Sequence, residues 1–130
     1  MKKISFLEKT NLFIRSLIFT TVIATAITIF SFFCVLAKVL PFRYRYTMIV
    51  WFTAWVLQVL KYICRINYHV QGLENIPENR TGVVLSKHQS TWETFYLPTV
   101  FHQAAIILKK ELLWVPFFGW GLANVEPIAI

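Results

Sequence analysis

A stretch of 22 residues without a charged side chain, residues 16–37, constrains the fold more than any other feature of the chain. A helix of about 20 apolar residues is long enough to cross the hydrocarbon core of a bilayer. A cleaved signal peptide would have a shorter apolar core that ends at small residues, whereas this stretch continues through Phe32 and Phe33 to Lys38. The sequence therefore predicts a membrane-spanning helix over about residues 16–37.

A second apolar segment follows Pro41, which is expected to end the first helix. Residues 47–60 are uncharged, but these 14 residues are too few for a comfortable span. The segment, taken to about residue 64, can lie flat, tilt, or pack against the first helix. Trp51 and Trp55 share one helical face and suit headgroup depth. We predict that residues 1–65 form a membrane anchor of one helix or two. Basic residues lie on both flanks of the first span, so the charge distribution does not determine its orientation in the membrane.

The composition narrows the class of partner. The chain carries a net charge of +7, which suits anionic lipid headgroups and nucleic acid alike, but 57% of its residues are hydrophobic, which favours lipid. No nucleic-acid-binding motif is present, and the aromatic residues lie in hydrophobic runs. Cys34 and Cys64 are 30 positions apart, and His69 and His102 lack a second ligand at useful spacing. We therefore expect free thiols, no metal site and no nucleic-acid partner.

From residue 66 onward, the long apolar stretches give way to short segments that are typical of strands and helices. Strands are predicted over residues 66–70, 81–86 and 104–108, and a further strand begins near residue 125. A helix interrupted by Pro98 is predicted over residues 92–101, and a short helical turn reaches Trp114 before Pro116 stops it. Strands that alternate with helices indicate an α/β sheet, in which ligands bind beyond the carboxyl ends of the strands. His88 and Lys109 are both expected there.

The loop of residues 86–90 and the helix after it hold the candidate chemistry. His88 lies in the loop, and Glu93 lies in the first turn of the helix, where a carboxylate is stabilised by the helix dipole. A neutral imidazole can take a proton from a hydroxyl, and a nearby carboxylate can orient it. The alternative is that Ser90 and Glu93 form only a capping box and that His88 is an ordinary loop residue. The spacing alone favours this alternative.

The neighbouring residues point to a known family. The segments His-Gln-Ser-Thr-Trp-Glu-Thr (88–94), Leu-Lys-Lys-Glu-Leu-Leu-Trp-Val-Pro-Phe-Phe-Gly-Trp-Gly (108–121) and Gly-Leu-Glu-Asn-Ile-Pro (72–77) resemble those of the bacterial 1-acylglycerol-3-phosphate acyltransferases. The resemblance covers about residues 68–130. It implies that residues 66–130 are the first half of the family's α/β domain. It also implies acyl transfer from acyl-coenzyme A or acyl carrier protein to the free hydroxyl of lysophosphatidic acid, giving phosphatidic acid. No cofactor beyond this co-substrate is implied, and the expected location is the bacterial inner membrane, with the catalytic part facing the cytoplasm.

The resemblance also assigns roles to residues. It makes His88 the general base and Glu93 its orienting acid. The family pattern is Asn-His, four residues, then Asp, so that Lys87 and Glu93 are departures here. Lys109 is the first candidate for the acceptor phosphate and Lys110 the second. The remaining substrate-binding candidates are a loop serine and three residues of the aromatic segment, namely Ser90, Phe118, Gly119 and Trp120.

Part of the family's phosphate-binding pattern is not found in these 130 residues. The family has a later arginine and a Phe-Pro-Glu-Gly-Thr-Arg segment that hold the phosphate, and neither occurs before Ile130, so we expect the 130 residues alone to be incomplete and inactive. Two alternatives to lysophosphatidic acid acylation stay open. The chain is a non-catalytic, membrane-anchored interaction protein, or it is an acyltransferase that acts on another lysolipid.

Overall fold

The computed structural model of the protein describes residues 5–77, 81–101 and 103–130. The first helix, α1, runs over Phe6–Leu36 and is continued by a 3₁₀ turn at Ala37–Val39. The backbone N–H of Ser5 donates to the carboxylate of Glu8 at 2.8 Å, which satisfies one of the free donors at the start of the helix. The predicted span over residues 16–37 lies within this longer helix, so the helix prediction is confirmed.

The second helix, α2, runs over Phe42–Val59 and continues as a π-helical segment at Leu60–Cys64. Pro41 precedes its first residue, as expected for a proline that ends one helix and starts the next. Arg65 adopts a left-handed conformation with φ of 55° and ends the segment. Within the described residues, Phe6–Val39 and Phe42–Cys64 are long and apolar enough to cross a membrane.

The two long helices form an antiparallel hairpin. Arg15, near the start of α1, donates from Nε to the carbonyl oxygen of Ile63, at the end of the second segment, at 2.6 Å. Nearer the turn of the hairpin, the rings of Phe30 and Phe52 stack with centroids 4.2 Å apart. The amino-terminal segment is therefore a pair of helices, which is one of the two arrangements that the sequence allowed.

The described residues after the hairpin supply two short helices and two short strands. Helix α3 runs over Trp92–Val100 and contains Pro98, and helix α4 runs over Phe118–Leu122. Strand β1, Ile107–Leu108, pairs in parallel with strand β2, Ile128–Ala129. Three short 3₁₀ turns complete the chain, at Leu73–Asn75, Lys110–Trp114 and Ala123–Val125. The predicted helix at 92–101, the turn that reaches Trp114 and the strands within 104–108 and 125–130 are confirmed.

The sheet is smaller than the sequence predicted. Residues 66–70 and 81–86 form no strand, and Val83 and Leu85 are 86% and 93% exposed. A β-branched run forms a strand only where a neighbouring strand accepts and donates its backbone hydrogen bonds. In the part of the chain that the structure describes, no backbone–backbone hydrogen bond reaches residues 81–88. The two strand predictions are therefore wrong, and over the described residues the α/β sheet is present only as one parallel pair.

The buried residues come from both sides of the domain boundary predicted at residue 65, which itself stays a prediction. The hairpin contributes Ser31, Cys34, Tyr46 and Val56, and the last part of the chain contributes Asn124 and Val125. Helices α3 and α4 pack on α2 and α1 respectively. The hairpin and the segments that follow it therefore share one core.

Candidate functional site

The amino-terminal end of α3 is organised by the carboxylate of Glu93. One carboxylate oxygen of Glu93 accepts the backbone N–H of Ser90 at 3.0 Å and its hydroxyl at 2.7 Å, and the other accepts the backbone N–H of Gln89 at 3.2 Å. The Ser90 hydroxyl oxygen in turn accepts the N–H of Trp92 at 3.2 Å. These bonds satisfy donors at the helix start and fix the loop that precedes it.

The same contacts keep Glu93 ionised. The hydroxyl of Ser90 is the largest cause, and the backbone N–H groups around the carboxylate add to it, so that the pKa of Glu93 falls from 4.5 to about 2. Hydrogen bonds to a carboxylate stabilise its charged form. A fixed negative charge therefore lies at the start of α3 throughout the neutral range.

His88 lies on the exposed loop, five residues before Glu93. Among the described residues no hydrogen bond joins the imidazole to the Glu93 carboxylate, whose recorded partners are Gln89 and Ser90. The geometry is therefore that of the capping alternative, and it holds both candidate residues at the same end of α3. The role of His88 as a base stays a prediction.

Lys109 and Lys110 lie directly after β1, at its carboxyl end, as expected. The backbone N–H of Lys110 donates to the carbonyl oxygen of Ile130 at 3.0 Å, which fixes the start of the 3₁₀ turn to the end of β2. Both side chains are exposed, and neither takes part in the salt bridge found among the described residues. Two unpaired cations are thus presented beside the sheet, which is what a phosphate ligand requires.

The aromatic segment before and within α4 packs against α1. The ring of Phe32 lies 6.0 Å from that of Phe117 and 6.2 Å from that of Trp120, measured between centroids. The hydroxyl of Ser31 lies 2.6 Å from the carbonyl oxygen of Phe117, within hydrogen-bond distance. Gly119 is buried against the backbone of the preceding turn, where an added Cβ would lie 2.2 Å from the carbonyl oxygen of Leu113. Of the predicted aromatic candidates, Phe118 faces a cavity, and Trp120 faces the hairpin.

That cavity has a volume of about 80 Å³ and an almost entirely apolar wall. Both hairpin helices, α3 and α4 contribute to it, and its larger lining side chains are Phe30, Phe52, Phe95, Pro98, Phe118 and Leu122. An apolar cavity holds no favourable site for water but suits hydrocarbon. Sequence reasoning missed Phe30, Phe52 and Phe95, because the residues that line the cavity are scattered over four helices and share no local pattern.

A cluster of three aromatic rings supports the first turns of α3. Trp92 and Tyr96 stack with centroids 4.6 Å apart, and Tyr68 contacts both, at 4.9 Å and 5.5 Å. Burial and the neighbouring Tyr68 raise the pKa of Tyr96. The spacing of four residues between Trp92 and Tyr96 was a visible signal for this pair. The cluster ties the segment after the hairpin to the helix that carries the candidate site.

The cysteine and histidine residues outside the α3 loop do not form a metal-binding site among the described residues. Over residues 5–77, 81–101 and 103–130, no group of three or more His, Cys, Asp or Glu side chains that could hold a metal ion is found. Cys34 and Cys64 are free thiols, and His69 is exposed. His102 lies outside the described residues.

Comparison with known proteins gives two kinds of match. The acyltransferase family model matches residues 67–130. A 1-acyl-sn-glycerol-3-phosphate acyltransferase of Pseudomonas aeruginosa is 54% identical over 104 residues, which is 77% of this chain. A protein of the same name from Saccharomyces cerevisiae is 33% identical over 75 residues, or 56% of the chain. The chain covers 38% of the length of the first relative and 24% of the second. No solved structure matches the chain significantly.

Proposed function

The chain belongs to the acyltransferase family through residues 67–130, and from this membership we propose that it transfers an acyl group to the free hydroxyl of lysophosphatidic acid, giving phosphatidic acid. The acyl donor in this proposal is a thioester, acyl-coenzyme A or acyl carrier protein. The observation that carries the proposal is the arrangement around α3. This helix follows the His88 loop at its amino-terminal end, and its side chains form part of the wall of an apolar cavity.

The proposed reaction begins with proton transfer at His88. The imidazole takes the proton of the acceptor hydroxyl while the hydroxyl oxygen attacks the thioester carbonyl carbon. The carbon–sulfur bond then breaks, and the leaving thiolate takes the proton back from the imidazolium. An ester and a free thiol result, and His88 returns to its neutral form. An exposed loop position suits this role because both the hydroxyl and the thioester must reach the ring.

Glu93 contributes to the proposed mechanism as a fixed charge. Its carboxylate holds the loop through Gln89 and Ser90, and it stays ionised at neutral pH because its pKa is about 2. A carboxylate near an imidazole stabilises the imidazolium that forms during proton transfer. Glu93 therefore acts on His88 through the conformation of the loop and through its charge.

The acceptor and the acyl chain take separate places in this proposal. Lys109 binds the phosphate of lysophosphatidic acid, with Lys110 as the second cation, because both exposed ammonium groups lie at the carboxyl end of β1. Part of the acyl chain occupies the apolar cavity, whose wall includes Phe95 and Phe118. The phosphate of the acceptor and the transferred acyl chain would thus be bound at two different places on the protein.

The protein acts at a membrane surface in this proposal, with the hairpin lying along the cytoplasmic leaflet. The carboxyl-terminal part of the chain packs beside the turn of the hairpin, through Trp120 on Phe32 and through an ion pair between Arg45 and Glu126. If the hairpin crossed the bilayer, this packing would draw Glu126 and the attached domain into hydrocarbon, where charges are strongly disfavoured. A hairpin that lies along the cytoplasmic surface, with its turn and both of its ends at that surface, avoids this cost and keeps the acyl donor within reach.

The test of the proposed function is the His88→Ala variant with His69→Ala as its matched control, since both histidines are exposed. Acyl transfer is measured with labelled donor and lysophosphatidic acid, using membranes from cells that express the protein from its complete coding sequence, because the 130 residues alone are expected to be inactive. We expect His88→Ala to lower the rate about 100-fold to 10,000-fold, the usual contribution of a general base, and to leave the amount of protein in the membrane fraction unchanged. His69→Ala should retain the wild-type rate. Full activity of His88→Ala would overturn the mechanism, and an inactive wild type that still binds membranes would favour a non-catalytic role.

A further inference from the structure

Two adjacent residues near the start of α2 contact the segments that lead into the two strands. Tyr46 is 2% exposed, and its hydroxyl donates to the carbonyl oxygen of Phe101 at 2.8 Å. The same hydroxyl oxygen accepts the backbone N–H of Ala104 at 3.3 Å. Phe101 and Ala104 lie between the end of α3 and the start of β1 at Ile107. The Tyr46 hydroxyl of α2 therefore fixes the position of the segment that leads into β1.

Arg45 makes the corresponding contacts at β2. Its Nη2 forms an ion pair with the carboxylate of Glu126, and its Nη1 donates to the carbonyl oxygen of Asn124 at 3.4 Å. Its Nε donates to the carbonyl oxygen of Leu40 at 3.1 Å, so the guanidinium is held from the turn of the hairpin as well. The Arg45 side chain is only 13% exposed. A mostly buried guanidinium with three partners is well fixed, and it holds the entry to β2 at Ile128.

Glu126 is in an uncommon backbone conformation that this contact supports. Its φ is 48° and its ψ is 58°, in the left-handed region that residues with a Cβ rarely adopt. Such a conformation is kept only where the surroundings determine it. The side chain of Glu126 is held by its ion pair with Arg45, so Arg45 supports the turn that aims β2 along β1.

The two contacts act at the same edge of the sheet. Because β1 and β2 are parallel, their amino ends lie together, and Lys109 follows β1 at the opposite, carboxyl end. The sheet is thus held at two points by neighbouring residues of one membrane helix. Two points of attachment prevent the sheet from rotating about either one, which fixes its tilt relative to the hairpin.

We propose that Arg45 and Tyr46 are positioning residues that fix the orientation of the acyltransferase segment toward the membrane surface. They act on the approach of an acceptor embedded in the bilayer and leave the chemical step itself unchanged. This inference rests on the proposed acyl transfer, although its central claim concerns orientation and can be measured without turnover.

The first arm of the test compares two acceptors. Long-chain lysophosphatidic acid in phospholipid vesicles requires the site to face the bilayer, whereas a short-chain, water-soluble lysophosphatidic acid can approach from solution. We expect Tyr46→Phe and Glu126→Arg to lower kcat/KM for the vesicle acceptor about tenfold to 100-fold, the cost of a small misplacement, and to change it less than about twofold for the soluble acceptor. Tyr44→Phe and Glu74→Arg are the controls, because both residues are exposed and Glu74 forms no ion pair with any other described residue.

The double variant Arg45→Glu with Glu126→Arg restores the ion pair with its charges exchanged. It should recover most of the activity on the vesicle acceptor that Glu126→Arg loses. Equal losses for both acceptors, or no loss in Tyr46→Phe and Glu126→Arg, would overturn the proposal while leaving acyl transfer intact. Activity in neither acceptor assay with the wild-type protein would instead contradict the proposed function.

The second arm measures orientation directly. Spin labels at Lys38, beside the hairpin turn, and at Lys109, beyond β1, are placed in protein whose native cysteines have been replaced, and their distance distribution is measured by pulsed electron paramagnetic resonance in vesicles. We expect a narrow distribution in the wild type and in the controls, a broad one in Tyr46→Phe and Glu126→Arg, and a narrow one again in the charge exchange. An unchanged distribution in Tyr46→Phe and Glu126→Arg would refute the positioning role, whatever the activity.

Discussion

Replacement of Gly119 by alanine tests the packing that brings the aromatic segment to the turn that begins with Lys110. Gly119 lies in α4 and is buried. A Cβ at this position would lie 2.2 Å from the carbonyl oxygen and 2.6 Å from the carbonyl carbon of Leu113, and 3.0 Å from the carbonyl oxygen of Leu112. These are backbone atoms of the 3₁₀ turn Lys110–Trp114, so no side-chain rotation can relieve the overlap.

The size of the effect follows from the geometry. Carbon and oxygen atoms that are not bonded approach to about 3.3 Å at the closest, so that a contact of 2.2 Å requires a backbone shift of about 1 Å. Overpacking of this kind costs about 1–3 kcal/mol and more where the backbone must move. Gly121→Ala is the matched control, because no atom lies within 4 Å of an added Cβ there. Both glycines lie in α4, so the gain of roughly 0.5–1 kcal/mol from alanine in a helix is common to the two variants, and they should differ by the overpacking cost of about 1–3 kcal/mol.

The assay is thermal unfolding of the detergent-solubilised protein, followed by tryptophan fluorescence at one scan rate. A difference of about 1–3 kcal/mol should place the Gly119→Ala transition about 4–12 °C below that of Gly121→Ala. Unfolding that proves irreversible still allows the comparison, because both variants are then ranked by rate under identical conditions. A Gly119→Ala transition equal to or above that of Gly121→Ala would refute the close approach of α4 to the turn.

Three further predictions address the site and the membrane. Ser90→Ala removes the largest cause of the low pKa of Glu93 and should raise that pKa from about 2 toward 4.5, as followed by NMR titration of the carboxyl carbon. Because the folded-state pKa is lowered, the stabilisation by Glu93 is present above about pH 4.5 and is lost as the pH falls toward 2, so an unchanged titration would contradict the role of the hydroxyl. Lys109→Ala should raise KM for lysophosphatidic acid about tenfold and leave KM for the acyl donor unchanged, and steady-state kinetics in which both constants rise equally would exclude a phosphate-binding role. Single cysteines at Lys38 and at Lys61, in a protein without other cysteines, should both react with an impermeant reagent from the cytoplasmic face, whereas reaction from opposite faces would show that the helices cross the bilayer.

The hairpin was predictable because its signals are local. An uncharged stretch long enough for a membrane helix, a proline and a second apolar stretch are each read from adjacent residues, and α1 and α2 follow them. Helix α3 was predictable for the same reason, since Glu93 in its first turn is a local signal. The spacing of Ser90 and Glu93 also indicated the capping contacts that the structure contains.

The strands over residues 66–70 and 81–86 were predicted wrongly because strand formation depends on a partner elsewhere in the chain. Val83 and Leu85 have the same β propensity whether or not a neighbouring strand is present, and here both are exposed. The ion pair between Arg45 and Glu126 joins residues 81 positions apart, and the hydrogen bond between Tyr46 and Phe101 joins residues 55 positions apart. No periodicity in the sequence relates such pairs, so neither they nor the cavity could be predicted from it.

Because the hairpin and the rest of the chain share one core, the two long helices contribute to the fold and to the cavity as well as being candidates for membrane attachment. A simple anchor would leave its buried polar groups facing lipid, but Ser31 of α1 lies within hydrogen-bond distance of the carbonyl oxygen of Phe117, and Tyr46 of α2 donates to that of Phe101. Separation of the hairpin from the rest of the chain would leave the Tyr46 hydroxyl without its partners in an apolar setting, at a cost of about 1–3 kcal/mol, whereas Ser31 would keep the carbonyl oxygen of Ile27 at 2.6 Å. Phe30 and Phe52, also from the hairpin, form part of the cavity wall. Changes in these two apolar helices should therefore alter the shape of the apolar cavity.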